Sequence, residues 1–375
     1  MSQILSSSIL RIDLDAIRAN YRTIAERVAP ARTGAVVKAN GYGLGAERVA
    51  AALYREGCRT FFVARLVEAD ALRTVLGADP DIFVLNGLDP GAEPRCADAG
   101  HIPVLNSSSQ VAAWRGLAAA RGAALPAALQ LDSGMSRLGL PLAEAERLAR
   151  DPALTREIDL RLVMSHLACG DEPDHPGNRA QLAAFTAGRA LFPGVPASLA
   201  NSGGSFLPKS FHGDIVRPGV ALFGVDPGPA ATGLRSVATL HARIIQIREI
   251  AAGTGVGYGL DHVATERQRL ATIGIGYADG WPRHLGGVGR AWWNGVPLPF
   301  VGRVSMDSLT IDISDPRAAA LAEGDLVELI GPSQSLADVA RDAGTIAYEI
   351  LTRLGARHAR IFVEDGQSPD VGDRA

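Results

Sequence analysis

Lysine is almost absent from this sequence. Only two of its 37 basic residues are lysines, Lys38 and Lys209, and all the others are arginines. Cysteine is also scarce, and Cys58, Cys96 and Cys169 are scattered along the chain. An odd number of cysteines without regular spacing argues against a disulfide framework and against a cysteine-based metal site. The sequence therefore predicts free thiols in a reducing compartment.

A strong net charge and long apolar runs are missing as well. The formal charge is −3 over 375 residues, so no basic field favours nucleic acid or an anionic membrane as a partner. No uninterrupted apolar run is long enough to span a bilayer, and the N-terminus lacks a basic start followed by an apolar core. These absences predict a cytoplasmic protein, and its length suggests two domains.

A repeating unit fills the chain from about residue 12 to 225. Short apolar runs such as TFFVAR, DIFVLNG and LRLVMSHLA alternate with stretches rich in Ala, Leu, Arg and Glu at helical spacing. Eight such runs predict a parallel sheet covered by helices and fit a closed (β/α)8 barrel of the TIM type. An open doubly wound sheet is the competing arrangement, but no G-x-G-x-x-G motif follows the first strand.

The pattern changes after about residue 235. Apolar and polar residues then alternate, with Gly, Asn and Pro at short intervals, which is typical of a mostly antiparallel β domain. The WNG sequence at 293–295 predicts a hairpin tip, and TIAYEILTRLG predicts a last helix. We expect a barrel over residues 11–232, a β domain over 233–365 that residues 1–10 could join, and a flexible tail over 366–375.

The stretch AVVKANGYGLG, residues 35–45, places Lys38 at the end of an apolar strand. A desolvated amine can lose its proton and form a Schiff base with a carbonyl group, whereas a guanidinium effectively cannot. The alternative interpretation is a lysine stem packed beside the strand with its amine in water. In a barrel the chemistry lies at the C-terminal ends of the strands. The other polar groups predicted there are Asn86, Asn106, Asp132, Arg137, His166, Asn201, Ser202 and Arg217.

The last two predicted barrel strands are followed by NSGGS and RPGV. Small residues, free backbone amides and the Ser202 hydroxyl suit the phosphate site that barrels often build there. Pyridoxal phosphate carries an aldehyde at one end and a phosphate at the other, so it fits an amine on the first strand that faces a phosphate loop. The DEPDH sequence at 171–175 is interpreted as a solvated loop rather than a hard-metal site, and no metal is predicted.

AVVKANGYGLG resembles the cofactor-lysine signature of alanine racemases. Eight further blocks resemble that family in the same order, between about residues 34 and 361: LDSGMSRLG, SHLACGDEPDHPGN, ANSGG, VRPGVALFG, VGYGLD, IGYADGWPR, GRVSMDSLTID and IAYEILTRLGAR. The resemblance implies an N-terminal (β/α)8 barrel with a C-terminal β domain, pyridoxal phosphate as cofactor, and L- and D-alanine as substrates. It also implies a homodimer with shared active sites that supplies D-alanine for peptidoglycan or acts in alanine catabolism.

The resemblance further implies roles for individual residues. Lys38 would hold the cofactor and act as the base on the D face of the substrate, and Tyr258 of the other subunit would be the base on the L face. The remaining cofactor-binding residues would be Tyr42, His166, Asn201, Ser202, Arg217, Gly219, Val220 and Tyr348. Arg137 and the partner's Met306 would meet the substrate carboxylate. Tyr277 and Tyr348 would narrow the entrance.

One position departs from the family pattern. Many members carry a carbamylated lysine two residues before the aspartate of LDSGM, where this chain has Gln130. Either the Gln130 amide oxygen contacts Arg137, or a bound anion takes the place of the carbamate. Three alternative functions stay open at this point: an amino-acid decarboxylase of the same architecture, a racemase of broader specificity, and a non-enzymatic carrier of pyridoxal phosphate. Decarboxylases need an acidic residue at the pyridine nitrogen, where this chain is predicted to place Arg217.

Overall fold

The chain forms two compact units in a computed structural model that describes residues 6–366. Among the described residues, one unit spans 17–235, and the other combines 6–16 with 236–366. The expected boundaries, 11–232 and 233–365, differ from this division by a few residues and stay a prediction. The strand Ser8–Asp13 pairs with Ala238–Ile250 and with Ala359–Val363. Residues 1–5 and 367–375, which include most of the expected tail, lie outside the described residues.

A parallel sheet forms the centre of the first unit. Each strand pairs with its neighbour in chain order from Ala35–Val36 to Ala197–Ser198, and Ile215–Val216 pairs with Arg32–Thr33. The strands are buried almost throughout, as expected for a parallel sheet covered on its outer face by helices. They are Arg32–Thr33, Ala35–Val36, Thr60–Val63, Asp81–Val84, Ile102–Leu105, Leu125–Gln130, Ile158–Met164, Ala197–Ser198 and Ile215–Val216.

Backbone hydrogen bonds close this sheet into a ring. The N–H of Gly34 donates to the carbonyl of Val216, and the N–H of Arg217 donates to the carbonyl of Ala200, both at 2.9 Å. The strand Ile215–Val216 thus bonds both to the first strand segment and to the seventh. The closed barrel is confirmed over the open sheet, and the first, seventh and eighth strands lie side by side.

Helices follow most of the barrel strands. The helix Ala46–Arg55 shows why they form, because Val49 and Leu53 lie four residues apart and are both fully buried on one face. His175, from the exposed 171–175 loop, begins another helix by accepting a hydrogen bond from Gly177 N–H at 3.0 Å. The helices are Leu14–Val28, Lys38–Tyr42, Ala46–Arg55, Leu66–Leu76, Glu93–Asp98, Ser108–Arg121, Leu142–Ala149, Leu154–Glu157 and Pro176–Arg189, with 3-10 turns at Gly204–Phe206, Lys209–Phe211 and Val220–Phe223.

The second unit is built on a mostly antiparallel sheet, as predicted. Its long strand Ala238–Ile250 pairs with Leu326–Ile330 on one edge and with Gln268–Ile273 on the other, which closes a six-stranded ring. The other strands are Ser8–Asp13, Gly255–Val256, His262–Val263, Arg290–Trp293, Val296–Val301, Leu309–Asp312 and Ala359–Val363. The helices are Leu336–Asp342 and Ala347–Arg353, with 3-10 turns at Tyr258–Leu260, Tyr277–Asp279, Arg283–Leu285 and Pro316–Ala318.

The predicted hairpin tip of the β unit is present at 294–295. Asn294 and Gly295 have φ values of 47° and 78°, the left-handed pair that a two-residue hairpin turn requires. They connect Arg290–Trp293 to Val296–Val301. Among residues 6–366, no helix combines the length and the apolar composition that a bilayer crossing requires.

Candidate active site

The first βα connection of the barrel carries Lys38 into an unusual turn. The strand ends at Val36, and the next residues after Lys38 have φ values of 54°, 55°, 61° and 54° at Ala39, Asn40, Gly41 and Tyr42. A left-handed backbone costs roughly 1–2 kcal/mol for each residue with a side chain. The sequence predicted the lysine at a strand end, but not this left-handed segment, which only glycine accepts freely.

The Lys38 amine is surrounded mainly by positive charge. Burial lowers its pKa below the usual value, and the Arg137 guanidinium lowers it further. The Glu68 carboxylate opposes these effects, and Arg217 again lowers the pKa. A lowered pKa raises the neutral, nucleophilic fraction of the amine near neutral pH.

Arg217 lies at the end of the eighth strand and is only 3% exposed. Its Nη2 donates to the carbonyl of Ser165 at 2.6 Å, and its Nη1 donates to Oγ of Ser198. Among the described residues it has no acidic partner, and burial lowers its pKa to about 9. The guanidinium is still protonated at pH 7, so it forms a fixed, uncompensated buried cation.

His166 lies between Arg217 and Asn201. Arg217 Nη2 is 3.5 Å from its Nδ1, and Asn201 Nδ2 is 3.4 Å from its Nε2. A guanidinium and an amide NH2 group can only donate, so both ring nitrogens of His166 face a donor, and a neutral ring accepts from only one of the two at a time. Burial lowers the pKa of His166 to about 3, with further lowering by Arg217, Arg137 and Lys38, so the ring is neutral. His166 is therefore a neutral ring held between Arg217 and Asn201.

The loops after the seventh and eighth strands meet around Ser202. Its hydroxyl oxygen accepts hydrogen bonds from the N–H groups of Gly219 and Ala221, at 2.8 and 3.3 Å. A Cβ on Gly219 would clash with the Tyr42 hydroxyl and ring, so glycine is the residue that fits this position without a shift. The Tyr42 ring also packs on Phe223, with centroids 4.9 Å apart. The structure thus brings together four residues that were predicted to bind the cofactor: Tyr42, Ser202, Gly219 and, next to Gly219 in the chain, Val220.

Arg137 lies in an exposed loop that Asp132 holds in shape. The Oδ1 of Asp132 accepts hydrogen bonds from the N–H groups of Gly134, Met135 and Ser136, at 2.9, 3.1 and 3.1 Å. Within residues 6–366, Arg137 has no carboxylate partner and its guanidinium is exposed. It is therefore a cation available to an external anion.

Gln130 makes a different contact from the one considered in the sequence. Its Nε2 donates to the carbonyl of Leu138 at 3.2 Å, which fixes the far side of the loop that carries Arg137. No hydrogen bond joins Gln130 to Arg137 among the described residues. The side chain thus supports the backbone beside Arg137 and leaves the guanidinium without a negative neighbour.

Four predicted site residues belong to the β unit. Tyr258 is 71% exposed on the short turn between Gly255–Val256 and His262–Val263, and Met306 is 53% exposed. Tyr277 is close to Met306, because Tyr277 N–H donates to Ser305 O and Ala278 N–H donates to Met306 O. Tyr348 lies in the helix Ala347–Arg353 and is partly exposed. Their predicted roles stay predictions.

Sequence reasoning missed three residues of the barrel site. Ser198 and Ser165 bind Arg217, one through its hydroxyl and one through its carbonyl. Glu68 accepts a hydrogen bond from the backbone next to Lys38. In the sequence, Glu68 resembles an ordinary acidic residue in the first turn of a helix, and only its position five residues after the strand Thr60–Val63 could have drawn attention to it.

The chain matches alanine racemases along nearly its whole length. Residues 12–227 match the N-terminal domain of alanine racemases, and residues 237–362 match the C-terminal domain. It is 53% identical over 364 residues to a catabolic alanine racemase of Mesorhizobium japonicum, covering 97% of this chain and 95% of that one. It is 51% identical over 372 residues to an alanine racemase of Brucella suis biovar 1, covering 96% and 94%.

A solved structure is similar as well. It is the alanine racemase of Bartonella henselae with covalently bound pyridoxal phosphate, at a TM-score of 0.92, 47% identity, and coverage of 96% of this chain and 100% of that one. The chain belongs to the alanine racemase family. The family and fold implied by the resemblance are therefore confirmed, and the protein is an isomerase that acts on alanine. The decarboxylase and carrier alternatives are set aside.

Proposed function

We propose that this alanine racemase works with two bases, Lys38 in the barrel and Tyr258 from the β unit of a second copy. The observation that carries the proposal is the cluster at the C-terminal end of the barrel. There Lys38 shares its surroundings with Arg137 and Arg217, and Arg217 in turn contacts His166. One neutralisable amine among fixed cations is the arrangement needed to bind an anionic substrate and move a proton beside it.

The residues present fit pyridoxal phosphate, the cofactor that the Bartonella henselae structure holds covalently. Lys38 supplies an amine whose pKa is lowered by burial. The Ser202 hydroxyl oxygen accepts from Gly219 N–H and Ala221 N–H, so its own O–H is left to donate to the phosphate in the loop that also carries Val220. Arg217 supplies a buried donor without an acidic partner for the pyridine nitrogen. The enzyme uses this cofactor, and these residues would hold it.

When bound, pyridoxal phosphate supplies an electron-withdrawing ring that makes the Cα–H of an attached amino acid acidic. Lys38 then acts on the D face, where it removes or returns the proton at Cα. Its lowered pKa favours this, since a general base works best when its pKa is near the working pH. Arg217 stays protonated at pH 7, so it would donate a hydrogen bond to the pyridine nitrogen without protonating it.

Tyr258 serves the opposite face of Cα in this proposal. An ordinary tyrosine is a weak base at pH 7, by about three pKa units or about 4 kcal/mol. His166 lies beside Arg217, and in the tautomer that accepts from Arg217 at Nδ1 its Nε2–H would stabilise a phenolate. The barrel therefore contributes the groups that would activate a tyrosine brought to it.

Arg137 binds the substrate carboxylate in the same proposal. Its guanidinium is exposed and lacks a carboxylate partner among residues 6–366, so an incoming carboxylate gives it a bidentate partner. Met306 of the second copy would border this position. The amide of Gln130 holds the loop through Leu138 without adding negative charge. Arg137 therefore keeps its full charge for the substrate.

A homodimer is supported by the surface of the β unit. More of the exposed large apolar side chains of the described chain belong to this unit than to the barrel. Leu260 and Val263 flank Tyr258 in sequence, and Tyr277 and Met306 lie on two segments that are joined to each other by backbone hydrogen bonds. Exposed apolar groups of this kind mark interaction surfaces.

Chiral chromatography tests the activity. The purified protein with pyridoxal phosphate should convert either L- or D-alanine into a mixture of equal amounts. Borohydride reduction should attach the cofactor to the peptide that contains Lys38, and Lys209→Arg should change neither result. A protein that retains the cofactor but leaves both enantiomers unchanged would contradict the proposed function.

Hybrid dimers test the shared site. A Lys38→Ala chain and a Tyr258→Phe chain are each expected to be inactive alone. After mixing and exchange of subunits, activity should return to about a quarter of the wild-type value, because half of the dimers are hybrids and each hybrid has one intact site of two. Hybrids that form but stay inactive would show that both bases come from one chain.

A further inference from the structure

The left-handed segment after Lys38 requires stabilising contacts, because its backbone conformation is unfavourable. Ala39, Asn40 and Tyr42 all have positive φ and carry side chains, which disfavours this conformation. Internal bonds account for part of the support, since Gly41 N–H donates to Val37 O at 2.9 Å and Gly43 N–H donates to Ala39 O at 2.8 Å. Neither bond fixes the peptide group that links Lys38 to Ala39.

The carboxylate of Glu68 holds that peptide group. Its Oε1 accepts a hydrogen bond from the N–H of Ala39 at 2.6 Å. Its Oε2 accepts from the N–H groups of Ala64 and Arg65, at 2.8 and 3.0 Å, where the neighbouring strand Thr60–Val63 has just ended. One half-buried carboxylate thus ties the residue after Lys38 to the end of the second barrel strand.

We propose that Glu68 is a positioning residue for Lys38, which fixes the direction of the lysine side chain through the backbone and supplies the negative charge that balances its cationic surroundings. The proposal rests on the proposed function, because it concerns the amine assigned there to the cofactor and to proton transfer. Charge-assisted bonds from a carboxylate to backbone N–H groups are short and strong, so they suit a support of this kind.

The electrostatic part follows from the groups that face the amine. Burial, Arg137 and Arg217 all lower the pKa of Lys38, and Glu68 raises it. Replacing Glu68 by glutamine removes the opposing charge while keeping the side-chain shape. An amide oxygen can still accept hydrogen bonds, but the amide nitrogen cannot, so part of the support is lost as well.

Because the chain contains only two lysines, the effect of Glu68 on the Lys38 amine can be measured directly by acylation. The full-length protein, freed of cofactor, is labelled briefly with an amine-acylating reagent across a range of pH, and the two lysine peptides are quantified by mass spectrometry. Lys209 is exposed and serves as the reference within the same molecule. In Glu68→Gln, the midpoint of Lys38 labelling should move to lower pH, and that of Lys209 should not move.

Kinetics separate positioning from charge. Glu68→Asp keeps the charge but is one methylene shorter, so it cannot reach Ala39 while it also binds Ala64 and Arg65. Its labelling midpoint should move less than that of Glu68→Gln, and its kcat should fall by about 10- to 100-fold, the size of effect expected from a misplaced reacting group. The KM for alanine should change by less than about twofold, since Arg137 is untouched.

A matched control comes from the β unit. Asp338 also sits in the first turn of its helix, and its carboxylate accepts from Ser335 N–H at 3.1 Å, but it bonds to no lysine segment. Asp338→Asn should leave the Lys38 midpoint and kcat unchanged. If Glu68→Gln and Glu68→Asp give the same midpoint and kcat as this control, Glu68 is only a helix cap and the proposal is wrong.

Failure of the proposed function has a different signature. Bound cofactor should protect Lys38, but not Lys209, from acylation in the wild-type enzyme. If Lys38 is labelled equally with and without cofactor, the assignment of Lys38 fails, whatever the Glu68 variants do. If Lys38 is protected but the Glu68 variants behave like wild type, only the positioning proposal fails.

Discussion

The barrel unit and the β unit present their candidate site residues in opposite ways. In the barrel, Arg217 is buried, His166 is held between two side chains, and Ser202 accepts two backbone hydrogen bonds. In the β unit, Tyr258 and Met306 are exposed by 71% and 53%. The barrel residues are therefore fixed by the fold of their own unit, whereas these two β-unit side chains are exposed to solvent.

The difference has a physical basis. A group that must keep an unusual protonation state needs a desolvated and rigid environment, which the barrel provides for Lys38 and His166. A group that must approach from the opposite face of the substrate can be delivered by a separate surface and needs no preformed pocket. The comparison predicts that barrel substitutions abolish or distort cofactor binding, whereas β-unit substitutions remove single steps.

Lys38→Arg gives the largest expected effect. A guanidinium keeps the positive charge but cannot act as a nucleophile or base, so racemisation should fall by more than about 10⁴-fold. The visible absorption of the bound cofactor and its trapping by borohydride should both be lost. Lys209→Arg is the matched control, because it changes the only other lysine. A retained, trappable cofactor in Lys38→Arg would refute the assignment.

Tyr258→Phe should remove only one of the two proton transfers. Racemisation should fall by roughly 10²–10⁴-fold, the usual effect of losing a positioned base. In deuterated water the α-hydrogen of D-alanine should still exchange through Lys38, and that of L-alanine should exchange little; NMR measures both. Equal exchange of the two enantiomers would mean that one mobile base serves both faces. Tyr277→Phe provides a comparison on a neighbouring exposed tyrosine.

Gly219→Ala tests the packing of the barrel loops. The new Cβ would collide with the Tyr42 hydroxyl and ring, so Tyr42 or the loop that carries Gly219 must shift. We expect cofactor affinity to fall by about 10-fold or more, because one mispacked methyl group costs about 1–3 kcal/mol. Equilibrium dialysis measures the affinity. The double variant Tyr42→Phe with Gly219→Ala should recover part of the loss, and no recovery would argue against this collision.

Lowering the pH slightly should give the smallest effect, a modest loss of stability. This loss should be larger in the barrel than in the β unit. Burial lowers the pKa of His101, His166 and His212 in the barrel and of His358 in the β unit. Below about pH 6.5 the unfolded chain takes up protons that these folded histidines do not, so stability falls as the pH decreases. From pH 7.5 to 5.5, we expect the melting temperature to fall by a few degrees.

Hydrogen exchange resolves this acid effect by region. Protection should decrease more in the barrel strands than in the β-unit strands, because three of the four histidines are in the barrel. His101→Gln should reduce the pH dependence, since it removes one fully buried titrating group. An equal loss of protection in both units would mean that other groups dominate the acid response.

Much of the architecture could be predicted from the sequence. Eight apolar runs between helical stretches are enough for a barrel, because continuous apolar strands bury both faces of a parallel sheet. The Asn294–Gly295 turn was predictable because few other residue pairs accept two positive φ values. The sequence could only suggest that the first ten residues join the β domain, since the strand Ser8–Asp13 pairs with segments more than 220 residues away. Local patterns do not encode such distant pairing.

The sequence by itself determined which side chains are available for chemistry: two lysines, one at a strand end, and the glycine and serine loops after the last barrel strands. Their amino-acid types limit what each group can do, independently of the fold. Only the tertiary structure decided the left-handed turn after Lys38, the placing of His166 between Arg217 and Asn201, and the link from Glu68 to Ala39. These depend on atoms from strands that are far apart in sequence, because closing the barrel brings those strand ends together and desolvates the charges between them.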